Sequence, residues 1–229
     1  CLHRIFERID FADESTVPAA VTEALAAYGF APDWHQTVQD MVKRVLHADL
    51  GEGLQLRGIE QKDKQVELEF LFPLRPVTRE ALAAVYRDAA GLLPPDLPER
   101  MGDLRFEPRR GFMTGFMDLV VRSGGKYYLL DWKSNWLGPT PGHYTPDALH
   151  EAMAGSHYFL QYHLYCLALK RHLALRMPEF DFAEQFGGVR YVFLRGIDPE
   201  RPGQGVHKDC PDPRFLDALD KALIDMEDR

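Results

Sequence analysis

The feature that most constrains this chain is a pair of β-like runs, residues 112–122 and 126–133, set around Ser123-Gly124-Gly125. Adjacent glycines accept the positive φ values of a tight turn, so the runs are predicted to pair as an antiparallel hairpin. Side chains of a strand alternate between its faces. Tyr127, Leu129, Asp131 and Lys133 therefore share one face of the second run, and Tyr128, Leu130 and Trp132 share the other. In the first run Phe116, Asp118 and Val120 share a face, and Asp118 interrupts an apolar stretch. Counted from the glycine pair, Asp118 and Asp131 each lie six residues away, so pairing sets them nearly opposite.

A carboxylate inside an apolar run is costly to bury unless it is paired or binds a cation. Two carboxylates on one cation, with a lysine alongside, suit phosphodiester cleavage. A hard divalent ion such as Mg²⁺ offsets the charge of the phosphate and lowers the pKa of water. The lysine orients or deprotonates that water and stabilises the phosphate. The bland alternative is a surface Asp–Lys pair on an ordinary hairpin. Asp-x-Lys alone is weak evidence, and the apolar context and the second Asp strengthen it. On this reading, removing Asp131 relieves repulsion in the metal-free fold and leaves it intact.

Around the hairpin the pattern is mixed. Leu2, Ile5, Phe6 and Ile9, then Val38, Met41, Val42 and Val45, recur at helical spacing, so residues 1–50 read as helices. Pro18 suits the first turn of one of them and Gly29 its end. Residues 65–72 read as a strand, 78–90 as a helix, and 91–108, with four prolines, as largely irregular. A loop is expected over 136–146, helix over 147–175 with a break near Gly155, a strand over 188–194 and a last helix over 213–226. This order predicts an α/β fold with a mixed sheet flanked by helices.

The formal net charge is −8. That opposes unaided capture of nucleic acid, which draws on clustered Lys and Arg, but a carboxylate-rich nuclease site would itself add negative charge. Cys1, Cys166 and Cys210 are too sparse for a zinc ribbon or an iron–sulfur cluster and fit a reducing cytoplasm. No apolar run is long enough to span a membrane. The chain lacks an initiator Met, and a fragment of something longer is expected.

Gly115-Phe116-Met117-Asp118-Leu119-Val120, then Tyr127 to Asn135, then Gln161-Tyr162-His163-Leu164-Tyr165 resemble the PD-(D/E)XK nucleases. Within that family they resemble the C-terminal nuclease domains of RecB-type helicase–nuclease subunits. The likeness runs from His3 to the last helix and includes Gly187-Gly188-Val189 and Phe193-Leu194-Arg195-Gly196. The ordered set G-x-x-D, D-x-K-[ST]-N and Q-x-x-x-Y is far more specific than any one member.

The resemblance implies a restriction-endonuclease-like sheet with an N-terminal helical segment. It implies one nuclease domain over residues 1–229, with a helical part at 1–50, a catalytic sheet core at 65–195 and a C-terminal helix at 211–229. It implies that His3, Asp118, Asp131 and the main-chain carbonyl of Trp132 bind metal, and that Lys133 is the catalytic lysine. Glu67 matches a supporting acid, and Gln161 and Tyr165 a motif that positions the DNA strand. The implied cofactor is one or two Mg²⁺ ions, replaceable by Mn²⁺ or Ca²⁺, without an iron–sulfur cluster. The implied activity is of exodeoxyribonuclease V type, on single DNA strands from an attached helicase, beside RecC-like and RecD-like subunits in a cytoplasmic heterotrimer. Trp132 stands where the family usually has Tyr, and the chain begins two residues before His3, so the turn that normally precedes the histidine is absent. The alternative is a catalytically silent nuclease fold used for DNA guiding or subunit docking. Retention of both carboxylates and the lysine argues against it. From sequence, His157, His163 and His172 read as structural or exposed, and Trp132, Trp136, Tyr127 and Tyr128 as packing residues in preference to a base-stacking platform.

Overall fold

A computed structural model describes residues 1–102 and 109–224. Its elements, in chain order, are α1 (Leu2–Arg8), α2 (Val17–Ala27), α3 (His35–His47), β1 (Lys64–Val77), α4 (Arg79–Asp88), α5 (Leu97–Gly102), β2 (Arg109–Ser123) and β3 (Lys126–Lys133), followed by α6 (Pro146–Gly155), α7 (Tyr158–Arg176), α8 (Phe182–Gln185), β4 (Phe186–Phe193), β5 (Val206–Asp209) and α9 (Pro213–Leu223). Among the described residues the strands form one mixed sheet in the order β1-β2-β3-β4-β5. The expected α/β architecture is therefore present. None of the helices described is long and apolar enough to cross a membrane.

The hairpin forms where the glycines predict it. Gly124 and Gly125 take φ values of 57° and 80°, and Ser123 pairs with Lys126 across them. That two-residue turn matches the twist of the flanking strands. The register continues to Leu119 opposite Leu130, and Asp118 and Asp131 are the next residues along the two strands.

Other boundaries follow local chemistry. Past α2, the Gly29 N–H bonds Ala26 O at 3.2 Å and the Phe30 N–H bonds Leu25 O at 2.9 Å, with Gly29 at φ 72°. This is the left-handed exit that glycine permits. Pro213 sits in the first turn of α9, and Asp212 caps it by accepting from the Arg214 N–H at 2.8 Å.

Three expectations need correction. Part of the proline-rich stretch is helical: Pro98 falls in the first turn of α5, where its missing N–H costs nothing, and Leu97 and Met101 are buried one turn apart. Residues 103–108 of that stretch, and 225–226 of the expected last helix, lie outside the described residues. Strand β1 continues past residue 72 through Pro73 and Pro76, which an edge strand tolerates because its outer N–H groups need no partner. Strand β5 has no sequence signal, since Val-His-Lys-Asp is neither alternating nor apolar.

The chain divides into two compact units. The first comprises residues 1–68, 117–152 and 187–209. In it Leu119, Val121, Tyr128, Leu130 and Trp132 present one hairpin face to a core shared with Ile5 and Phe6 of α1, Val21 and Leu25 of α2, and Val42 and Val45 of α3. The opposite parity is left to Asp118, Asp131 and Lys133. The second comprises residues 69–116, 153–186 and 210–229. It is built around the fully buried Tyr86, Tyr162, His163 and Phe215.

Candidate active site

The hairpin ends that carry Asp118 and Asp131 lie in the first unit. Asp131 and Lys133, two residues apart on β3, form an ion pair through Asp131 Oδ1 and Lys133 Nζ. Both are almost fully buried, at 2% and 8% exposure. Lys133 Nζ also stands 4.8 Å from the centre of the Tyr191 ring, on β4, so a desolvated aromatic face supports the ammonium. Asp131 Oδ1 receives no well-formed hydrogen bond despite its burial, and the ion pair is what holds it.

Asp118 is tied on two sides. Its Oδ2 accepts the main-chain N–H of Trp132 at 2.9 Å, and His3 Nε2 lies 3.4 Å from the same oxygen. The indole of Trp132 points into the core, stacked on Phe6 with ring centres 4.2 Å apart. That stack joins α1 to β3 and fixes the helix whose first turn carries His3. The expectation that the Trp132 side chain faces away from the acidic face is met.

The charges compete. Burial and the neighbouring Asp118 push the Asp131 carboxyl above the ordinary carboxylate range, against the opposing pull of Lys133 and His3. The His3 imidazole is raised, first by its hydrogen bond to Asp118. Glu67, on β1, is raised by burial of its carboxyl, then by Glu7 and Asp118. Glu67 thus belongs to the same electrostatic neighbourhood. Its φ of 47° is a left-handed conformation rare for a side-chain-bearing residue, and such outliers cluster at functional sites.

His3, Glu67, Asp118, Asp131 and Lys133 are therefore brought into one region, together with the main chain of Trp132. Gln161 and Tyr165 lie in the second unit, on α7. Gln161 Nε2 donates to Tyr165 Oη at 3.0 Å, and the Tyr165 ring meets Phe70 edge-on at 5.6 Å. Two participants escaped the sequence reading, and one aromatic residue differs from its expectation. Glu7 could have been found from its position four residues after His3, which puts both on one face of α1. Tyr191 sits in an apolar strand run that gives no warning of a cation above it. Trp136 was expected to pack and is 65% exposed.

Hard oxygen and imidazole donors are the set that divalent cations of the Mg²⁺, Mn²⁺ and Ca²⁺ kind accept. A cation here would offset the repulsion that raises Asp131. Among the described residues no three His, Cys, Asp or Glu side chains already stand in ligating geometry, because Asp131 is engaged by Lys133 while Asp118 faces His3.

The sequence profile of the PD-(D/E)XK nuclease superfamily matches residues 1–226. The chain belongs to the PD-(D/E)XK nuclease superfamily. Members of this superfamily generally use divalent metal ions. Among its relatives, the RecBCD enzyme subunit RecB of Escherichia coli K12 is 39% identical over 231 residues, covering 98% of this chain and 19% of that protein. The Haemophilus influenzae subunit of the same name is 35% identical over 222 residues, covering 96% of this chain and 18% of its own length. That of Mycolicibacterium smegmatis is 38% identical over 165 residues. The chain thus spans about a fifth of the length of the first two relatives.

Proposed function

We propose that this chain is a magnesium-dependent DNA nuclease, the nuclease domain of a RecBCD-type helicase–nuclease that acts in double-strand break repair and recombination. The observation that supports the reading is the contact set at the hairpin's end, where Asp118 accepts the Trp132 N–H and faces His3 while Lys133 pairs with the buried Asp131. The relatives named RecBCD enzyme subunit RecB support the larger assembly. In it, RecC-like and RecD-like subunits and an attached helicase would deliver single strands to this domain in the cytoplasm.

Asp118, Asp131, His3 and the carbonyl of Trp132 would hold the ion, with Glu67 as a supporting acid. A bound Mg²⁺ supplies charge neutralisation at the scissile phosphate and acidifies water. The chain's own residues do the rest. Lys133 donates hydrogen bonds to a phosphate oxygen or to the attacking water, and its burial strengthens that interaction by excluding solvent. Its partner Asp131 aims the ammonium. The N–H of Trp132 fixes the rotamer of Asp118, and His3 braces the same carboxylate from α1. Gln161 and Tyr165 would position the strand.

The test is cleavage of a 5′-labelled single-stranded oligonucleotide with Mg²⁺, Ca²⁺ or EDTA, alongside calorimetric titration with Ca²⁺. Mg²⁺-dependent cleavage that disappears in Asp131→Asn is expected, with weakened Ca²⁺ binding in that variant. Undiminished cleavage by Asp131→Asn, or no divalent-ion binding by the unmodified chain, would overturn the reading in favour of a silent DNA-guiding or docking module.

A further inference from the structure

The strand that carries Asp131 and Lys133 runs straight into Ser134, Asn135 and Trp136. At 65% exposure, the Trp136 indole contributes little to any core. Yet its loop is firmly held. Tyr144, 1% exposed, donates its hydroxyl hydrogen to the Asn135 carbonyl at 3.1 Å and accepts the Leu137 N–H at 3.3 Å. The backbone on both sides of Trp136 is thus pinned to one phenol.

The same ring holds a second element. Gly196 packs so tightly on Tyr144 that a Cβ there would come within 2.4 Å of the ring. Gly196 closes a short helical turn, Leu194–Gly196, that carries Arg195. Arg195 Nε donates to the Ser134 carbonyl at 3.3 Å, and its guanidinium stands 5.7 Å from the centre of the Trp136 ring. A single buried tyrosine therefore fixes both partners of an exposed Trp–Arg pair, three residues beyond Lys133.

A chain of net charge −8 gains little from long-range attraction of phosphates, so a strand must be held by local contacts. Bases stack on aromatic rings whatever their sequence, and a guanidinium pairs with phosphate oxygens while supporting the stack. From this geometry we infer that Trp136 and Arg195 form a stacking platform that holds a base and its phosphate on a single DNA strand. The inference rests on the nuclease reading for its substrate and adds a contact that reading does not contain.

The probe is the oligodeoxynucleotide dT12, titrated into the chain in EDTA so that cleavage does not intervene. Trp136→Ala should weaken dT12 binding roughly tenfold, and Trp136→Phe should keep most of the affinity. An all-abasic oligonucleotide of the same length should bind the unmodified chain and Trp136→Ala equally. Indole fluorescence should be quenched by dT12 in the unmodified chain and not in Trp136→Phe, whose remaining indoles are Trp34 and Trp132. Arg195→Ala should lower affinity and flatten its salt dependence. Equal dT12 affinity for the unmodified chain and Trp136→Ala, or unquenched fluorescence on binding, overturns the platform. Loss of dT12 affinity in Trp136→Ala, with no Mg²⁺-dependent cleavage by the unmodified chain, would sink the nuclease reading and leave the platform standing.

Discussion

Each of the two units buries ionisable groups, and the two solutions differ. In the second unit His163 is fully buried, with Nδ1 2.9 Å from the Tyr86 hydroxyl and the Tyr162 and Phe215 rings at 4.3 and 4.7 Å. Burial drives its pKa down to about 3 and drives that of Tyr86 upward. Both groups stay neutral, and although His163 Nε2 has no hydrogen-bond partner among the described residues, no charge there is left to be balanced. In the first unit Asp131 is just as deeply buried, but an ammonium, a second carboxylate and an imidazole surround it. The two carboxylates repel one another even though Lys133 pairs with Asp131 and His3 with Asp118. The difference teaches that burial alone marks structure, whereas burial of groups in mutual conflict marks a place where a cation or a substrate can complete the balance.

The sharpest way to break this comparison is cleavage itself. Asp131→Asn should lower Mg²⁺-dependent turnover by about 10³-fold, while Tyr86→Phe should leave turnover unchanged. Equal losses in both would erase the distinction. Next comes stability. Lys133→Met strands a buried carboxylate and should cost about 3 kcal/mol in urea unfolding, with part of that recovered in the double variant Lys133→Met/Asp131→Asn. Additive effects would show that the pair is not coupled. Tyr86→Phe removes the hydroxyl partner of His163 and should cost about 1–3 kcal/mol.

The remaining effect is on pH dependence. His163 titrates near its ordinary value once unfolded but only at about 3 when folded, so the unfolded chain binds the extra proton between those limits. Stability from this residue is therefore complete above about pH 6.5 and falls by roughly 1.4 kcal/mol per unit as pH drops towards 3. His163→Gln should flatten the decline measured between pH 6.5 and 4.5. An unchanged slope would remove His163 from the account.

Much of this was legible in the sequence because it is local. The glycine pair fixed the hairpin, and the hairpin count brought Asp118 and Asp131 just past the pair Leu119 and Leu130. Helix ends at Gly29 and Pro213 were readable for the same reason. The family motif pointed to His3 and Glu67, which no spacing argument links to β2 and β3. Illegible features depend on contacts remote in sequence. The Phe6–Trp132 stack that positions α1, the Tyr191 ring beneath Lys133, and the Tyr144 anchor behind Trp136 each join segments with no common pattern. The expectation that removing Asp131 simply relieves repulsion also changes, because the buried Lys133 would lose its counter-ion.

Glu67 carries a cost of its own. With φ at 47°, its main chain is one that a glycine adopts freely and any residue with a Cβ adopts against steric resistance. An acidic side chain is thus maintained at a position where the backbone would rest more easily without one. A glycine there would relieve the backbone and remove the carboxyl group in the same step, so a variant made for stability alone and one made for the site would part at this residue.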